Sequence, residues 1–228
     1  MEKVSKKDFV EIEYTGRIKE NNLVFDTTSE KVAKENKLNA NSNYGPVIIC
    51  IGEQQILSGL DKHIEGRESG KEYEIEIKPQ DAFGSKDAKL IQLVPTAKFK
   101  QQNIQQMPGM QLNIDGVVGT VKTVSGGRTL VDFNHPLAGK GLLYKVKINR
   151  KITDDNEKLL GYLKLTLGIS DVKSEISEGK AKITLKSKIQ KEVQEMLNEK
   201  IIGLIPSIKS TEFAVEDKKP NSLNISKA

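Results

Sequence analysis

The chain has 228 residues, 36% of them hydrophobic and 29% charged, a balance that allows packed cores and excludes a wholly disordered chain. Its formal net charge is +5; a single cysteine excludes an internal disulfide framework and, with two histidines, argues against a zinc site built from His and Cys. The length suits two or three domains; the longest apolar cluster, Pro46 to Ile51, is strand-sized, so no membrane-spanning helix is predicted.

The acidic excess lies in the first 85 residues and the basic excess in the later segments. From Lys186 to Lys200, Lys and Glu interleave as on a solvated helix face, not as a phosphate-binding stripe, so nucleic acid is not an expected partner. The charged opening, Met1 to Asp8, leads straight into a strand pattern; no signal peptide is predicted and the cytoplasm is the expected compartment.

In chain order, Phe9 to Gly16 alternates with Val10, Ile12 and Tyr14 on one side, a half-buried strand that the glycine should stop. Leu23 to Thr27 is a second short strand, and Ser29 to Gly45 an exposed loop with one helical turn. Val47 to Ile51 is an apolar strand ended by Gly52. Helical spacing of Ile56, Leu57, Leu60 and Ile64 predicts a helix running from about Gln54 to Gly66. Glu72 to Lys78 alternates with Tyr73, Ile75 and Ile77 inward.

After Phe83 the pattern changes. Leu93-Val94-Pro95 and Met107-Pro108-Gly109-Met110 punctuate a stretch with a short helix over Thr96 to Gln101. Strands follow at Met110 to Ile114, Val117 to Val124 and Thr129 to Phe133, with hairpin turns at Asp115-Gly116 and Ser125 to Arg128. Leu142 to Ile148 alternates again. The remainder reads as an amphipathic helix over Glu157 to Leu167, a strand over Lys180 to Ser187, a helix carrying Ile189, Val193, Met196, Leu197 and Ile201, and a short strand at Phe213 to Val215. Asp217 to Ala228 is polar and expected to fray; Asn224-Ile225-Ser226 matches a glycosylation pattern without a secretory context.

Tyr14-Thr15-Gly16, Val24-Phe25-Asp26-Thr27, Gly52-Glu53-Gln54-Gln55-Ile56-Leu57-Ser58-Gly59-Leu60, Glu65-Gly66, Gly70-Lys71 and Asp81-Ala82-Phe83-Gly84 resemble, in order and spacing, the FKBP-type peptidyl-prolyl isomerases. The long insertion that follows, closing with Asn134-His135-Pro136-Leu137-Ala138-Gly139, resembles the SlyD-like subfamily, whose insert-in-flap domain is a chaperone module that holds unfolded chains. The added C-terminal segment resembles the long archaeal-type members. The resemblance implies an α+β fold: an antiparallel sheet wrapped on a short helix (residues 1–85 and 137–155) and an inserted mostly-β chaperone domain (86–136); the helix and strand pattern of 156–228 itself predicts a C-terminal α+β domain.

Isomerising an X-Pro bond means twisting an amide against a barrier of about 18–20 kcal/mol. A pocket with little water, an apolar bowl for the proline ring and a few fixed polar groups favour the twisted form; neither nucleophile nor metal is needed. By resemblance the bowl is Tyr14, Phe25, Ile56, Leu57, Leu60, Phe83 and Tyr144, with Asp26 at its edge and the Leu57 N–H offered to a substrate carbonyl. From the residues alone, Tyr14, Phe25 and Tyr144 read more readily as core aromatics; the order and spacing of the resemblance tip the reading to a pocket. Two departures bear on strength. Leu60 stands where many members have Trp, which predicts weak macrolide binding. Phe83 stands where the family has Tyr, which removes one hydrogen-bond donor and predicts a loss of about five-fold in rate.

In the insertion, Ile91, Leu93, Val94, Phe99, Met107, Met110, Leu112, Val117 and Val118 are expected to hold client chains, unless they form the module's own core. Unfolded or proline-containing polypeptides are the expected partners, and no cofactor or metal is expected. His63 and His135 read as structural or solvated, and Cys50 as a core residue. The thin C-terminal core suggests a homodimer, with Ile201, Ile202, Leu204 and Ile205 as the suspected interface. The rival reading is a holdase on a decayed isomerase pocket.

Overall fold

The computed structural model describes residues 2–40, 42–100 and 103–216; the tail from Asp217, with Asn224-Ile225-Ser226, and Gln101 lie outside the described residues. The described residues fall into two compact units. The first lies within Met1–Gly16, Val24–Ile75 and Tyr144–Ala228, the second within Arg17–Leu23 and Glu76–Leu143.

A five-stranded sheet is built from β1 (Phe9–Ile18), β2 (Val24–Thr27), β3 (Val47–Cys50), β4 (Glu72–Ile77) and β9 (Leu142–Lys151), in the order β2-β1-β9-β4 with β3 also pairing β1. β1 does not stop at Gly16 but continues to Ile18. The alternation of β1 puts Val10 and Ile12 in the interior, fully buried. The predicted loop after β2 carries α1 (Glu30–Glu35), with Ser29 accepting from the Val32 N–H as its cap. The helix after β3 is shorter than its apolar spacing predicts: α2 spans Ser58–Ile64, and residues 52–57 form a loop. Leu60 and Ile64 are its buried face.

The C-terminal segment contains α4 (Asp155–Leu167), β10 (Val172–Ser177), β11 (Lys180–Leu185), α5 (Lys191–Leu204) and β12 (Ser210–Val215). β10 pairs antiparallel with β11, while β12 pairs parallel with it, α5 being the crossover that a parallel pair requires. This segment does not keep a core of its own. Leu159, Tyr162 and Leu163 of α4, Ile183 and Leu185 of β11, and Leu197 and Ile201 of α5 join Phe9 and Cys50 in one buried cluster. Gly161 lets α4 approach β3 closely, since a Cβ there would stand 2.6 Å from Ile48. Arg150 of β9 adds an ionic tie, bonding Glu11 of β1 at 3.2 Å and Glu157 of α4. The apolar run near residue 201 is therefore used inside the chain: Ile201 and Ile205 are buried and Leu204 packs against them. The sheet thickens the thin core that the sequence suggests.

In the second unit, β5 (Ile91–Pro95), β6 (Gln111–Ile114), β7 (Val117–Ser125) and β8 (Arg128–Asp132) form an antiparallel sheet ordered β5-β8-β7-β6, with α3 (Thr96–Lys100) after β5. The Leu93-Val94-Pro95 stretch is thus a strand and not mere punctuation. Both hairpins have two-residue turns with positive φ at each position, Asp115-Gly116 (53° and 87°) and Gly126-Gly127 (55° and 76°), which match the twist of the flanking strands.

Candidate active site

Tyr14 sits on β1, Phe25 and Asp26 on β2, and Tyr144 on β9. Two buried threonines fix the first of these. The Thr28 N–H donates to the Tyr14 carbonyl at 2.9 Å, the Tyr14 N–H donates to Thr28 Oγ1 at 2.9 Å, and the Thr27 hydroxyl donates to the same carbonyl at 3.1 Å. The rings then meet around Tyr144. Tyr14 lies 5.8 Å from it at 58°, and Phe25 5.8 Å away and edge-on at 88°. Gly16 makes room for this. A Cβ there would stand 2.8 Å from Tyr144 and 3.0 Å from Phe25, closer than packed atoms approach.

Asp26 is hydrogen-bonded by the Tyr14 side chain. Burial raises its carboxyl above the ordinary range, opposed by the bonds from Tyr14 and from the Thr27 N–H. Burial likewise pushes both tyrosine hydroxyls up, with the Asp26 charge adding to the effect. Both phenols stay protonated at any physiological pH. The result is an aromatic cluster carrying one carboxyl group.

Ile56 and Leu57, both half-buried, lie in the loop before α2, and Leu60 is buried on that helix. Leu57 is the cap position of α2, where a helix leaves its first N–H groups without intrahelical partners. The loop is held by a residue the sequence did not single out. Asp61 is 3% exposed, and its carboxylate accepts from the Gly52 N–H at 3.0 Å and the Gln54 N–H at 3.0 Å. A lone acidic residue on a short helix reads as solvent-facing; only its spatial neighbours reveal the loop clamp. Gln55 adds a second tie, accepting from the Cys50 N–H at 2.8 Å.

Phe83 belongs to the second unit, where its ring stacks on His135 with centroids 4.3 Å apart and planes 5° from parallel. His135, read as structural or solvated, thus has a defined partner. Its Nδ1 accepts from the Leu137 N–H at 3.2 Å.

The client-holding residues divide. Val94, Phe99 and Leu112 are buried with Val121 and Val131 as the insertion's own core, and Met110 packs against them. For these the alternative reading, the module's own core, describes their place: Val94, Phe99 and Leu112 face inward from β5, α3 and β6. Ile91, Leu93, Met107, Val117 and Val118 remain outside; Leu93 and Val118 are 58% exposed and Met107 60%. Among the described residues, no helix is long and apolar enough to cross a membrane.

Residues 1–102 match the family model of FKBP-type peptidyl-prolyl cis-trans isomerases, and residues 92–137 match the model of the FKBP26 IF domain. The short-type peptidyl-prolyl cis-trans isomerase of Methanocaldococcus jannaschii is 31% identical over 146 residues, 64% of this chain and 92% of the relative. The SlyD isomerases of Helicobacter pylori and Aeromonas hydrophila are each 33% identical, over 49% and 64% of this chain. The matches span 62% and 63% of those two SlyD proteins. With residues 1–102 matching the family model, the archaeal relative covered almost end to end and SlyD proteins among the other matches, the chain belongs to the FKBP-type peptidyl-prolyl cis-trans isomerases.

Proposed function

We propose that Tyr14, Phe25, Ile56, Leu57, Leu60 and Tyr144 receive the proline ring of an unfolded or flexible polypeptide, with the Leu57 N–H taking a substrate carbonyl. The single observation behind this is the arrangement of Tyr14 and Phe25 around Tyr144, with Asp26 hydrogen-bonded at its edge. A planar imide is stabilised by resonance and by water on its carbonyl. An apolar bowl strips that water, and the twisted form, with less resonance and less dipole, loses least by the transfer. The Leu57 N–H fixes the chain on one side of the bond while the proline turns. Asp26, restrained by Tyr14, supplies a fixed field at the rim and transfers no proton.

The insertion holds client chains through Ile91, Leu93, Met107, Val117 and Val118. Exposed aliphatic residues with an adaptable methionine suit varied unfolded segments, and capture raises the local concentration of prolyl bonds at the pocket. A cytoplasmic location accords with the single, buried cysteine.

The test pairs two substrates, a proline tetrapeptide and an unfolded protein whose refolding is limited by proline isomerisation. The full chain is expected to catalyse both, and more strongly on the protein. Deleting residues 87–135 should cost far more activity on the protein than on the peptide. Equal losses would overturn the capture role; protection of the protein without peptide catalysis would leave a holdase in place of the isomerase.

A further inference from the structure

The loop of residues 52–57 is held not only by Asp61 but also from the C-terminal segment. Lys200 of α5 donates from Nζ to Glu53 Oε2 at 2.8 Å. The Glu53 side chain is only 19% exposed, so its charge is partly shielded from water, while Lys200 is 55% exposed. Gln55, whose Oε1 holds the Cys50 N–H, presents Nε2 to the Thr166 hydroxyl of α4 at 3.4 Å. Tyr162 of α4, nearly buried, lies within electrostatic reach of Lys200 and Glu53 together. Two of the loop's residues are thus bonded to two different helices of the C-terminal segment, in the turn that leads directly to Ile56 and Leu57.

The segment's placement makes these bonds well anchored. α4 is seated on β3 through Gly161 and Ile48, and α5 contributes Leu197 and Ile201 to the same buried cluster as Cys50. Lys200 therefore extends from a helix that cannot easily shift relative to the strand at the loop's start. Charge along α5 is otherwise ordinary, as in the Lys191–Glu195 pair one turn apart.

We propose that the C-terminal segment is a positioning element of the isomerase site, Lys200 on Glu53 and Thr166 on Gln55 setting the loop that presents the Leu57 N–H to substrate. Lys200 and Thr166 are positioning residues and touch no substrate. The proposal rests on the reading that Leu57 binds the substrate carbonyl. It gives the added segment a part in catalysis of small peptides, for which neither client capture nor a second copy of the chain is needed.

The experiment uses the full chain. Lys200→Glu should lower kcat/KM on a proline tetrapeptide by about two- to five-fold, the size a half-exposed ion pair can exert, with the melting temperature little changed. Glu53→Lys combined with Lys200→Glu should restore most of the loss. Lys200→Met, which keeps the side-chain stem, and Thr166→Val provide milder forms if the charge reversal fails to fold. In parallel, amide NMR follows residues 52–57 with and without saturating peptide. The wild-type Leu57 amide should respond to peptide, and Lys200→Met should move the 52–57 amides before any peptide is added. Wild-type kcat/KM in Lys200→Glu or Lys200→Met would overturn the proposal, as would a loss that the charge swap fails to restore. A Leu57 amide indifferent to peptide in the wild type would overturn the reading of the site itself, and this proposal with it.

Discussion

Gly16 carries more of the aromatic cluster than its size suggests. Its backbone is ordinary strand within β1, so nothing in its conformation demands glycine. The demand comes from the Tyr144 ring at 2.8 Å and the Phe25 ring at 3.0 Å from where a Cβ would sit. Gly16→Ala should therefore displace both rings, costing about 1–3 kcal/mol of stability by overpacking and lowering peptide kcat/KM below what the stability loss explains. Denaturant unfolding and the tetrapeptide assay, run where the variant is folded, check this; wild-type values in both would mean that the rings do not pack as described. A glycine that ends a strand and one that admits an aromatic ring look alike in one dimension, since the deciding residue, Tyr144, lies far along the chain. Phe25 and Asp26 were legible because they recur in a fixed order with other motifs. Asp61 and Thr28 were not, because their work is done on backbone groups that only the fold brings near.

The insertion's four-stranded sheet was legible as hairpins and illegible at its edge. Turn chemistry marks β6, β7 and β8, whereas β5 carries a proline and lacks a local turn to its partner β8. Along β5, Leu93 is exposed and Val94 buried; which parity faces inward is set by pairing with β8, not by hydrophobicity. At the end of β8 stands the buried Asp132. Burial alone would raise its carboxyl, but the Asn134 side chain and N–H, with the Lys86 ammonium at 3.4 Å, outweigh that and hold it down to about 2. Asn134 also exchanges hydrogen bonds with the Asp87 backbone, so this carboxylate organises both chain crossings at the insertion's base. The folded pKa lies below the unfolded value of about 3.9. Its stabilisation is thus fully present above about pH 4 and is lost as pH falls toward 2. Asp132→Asn should loosen the insertion at neutral pH, seen as faster hydrogen exchange of β8 amides. Its stability deficit against the wild type should shrink as pH falls through that window. A deficit constant with pH would exclude the ionised carboxylate as the cause.

At the scale of the molecule, one apolar core crosses what the sequence divides into two domains. Phe9 and Cys50 come from the sheet and are 2% and 1% exposed, yet they share that core with α4, β11 and α5. No periodicity in either segment announces this, because a sheet face covered by a distant helix and one covered by another copy carry the same residues. Truncation after Thr153 should therefore bare Phe9, Ile48 and Cys50, and losing the burial of a large side chain costs about 1.5–3 kcal/mol. Cys50 reports the event directly. In the full chain burial pushes its thiol up to about 12, with the charges of Glu53, Asp61 and Asp8 adding to the shift, so thiolate is scarce at neutral pH. Alkylation of the full chain should proceed only through opening of the core. The truncated chain should react many-fold faster and melt at a lower temperature. A truncated chain with the same melting temperature and a protected thiol would mean that the C-terminal segment contributes nothing to this core. The same probe separates support from positioning: Lys200→Glu leaves the apolar core in place and should slow catalysis without quickening thiol labelling, whereas truncation should change both.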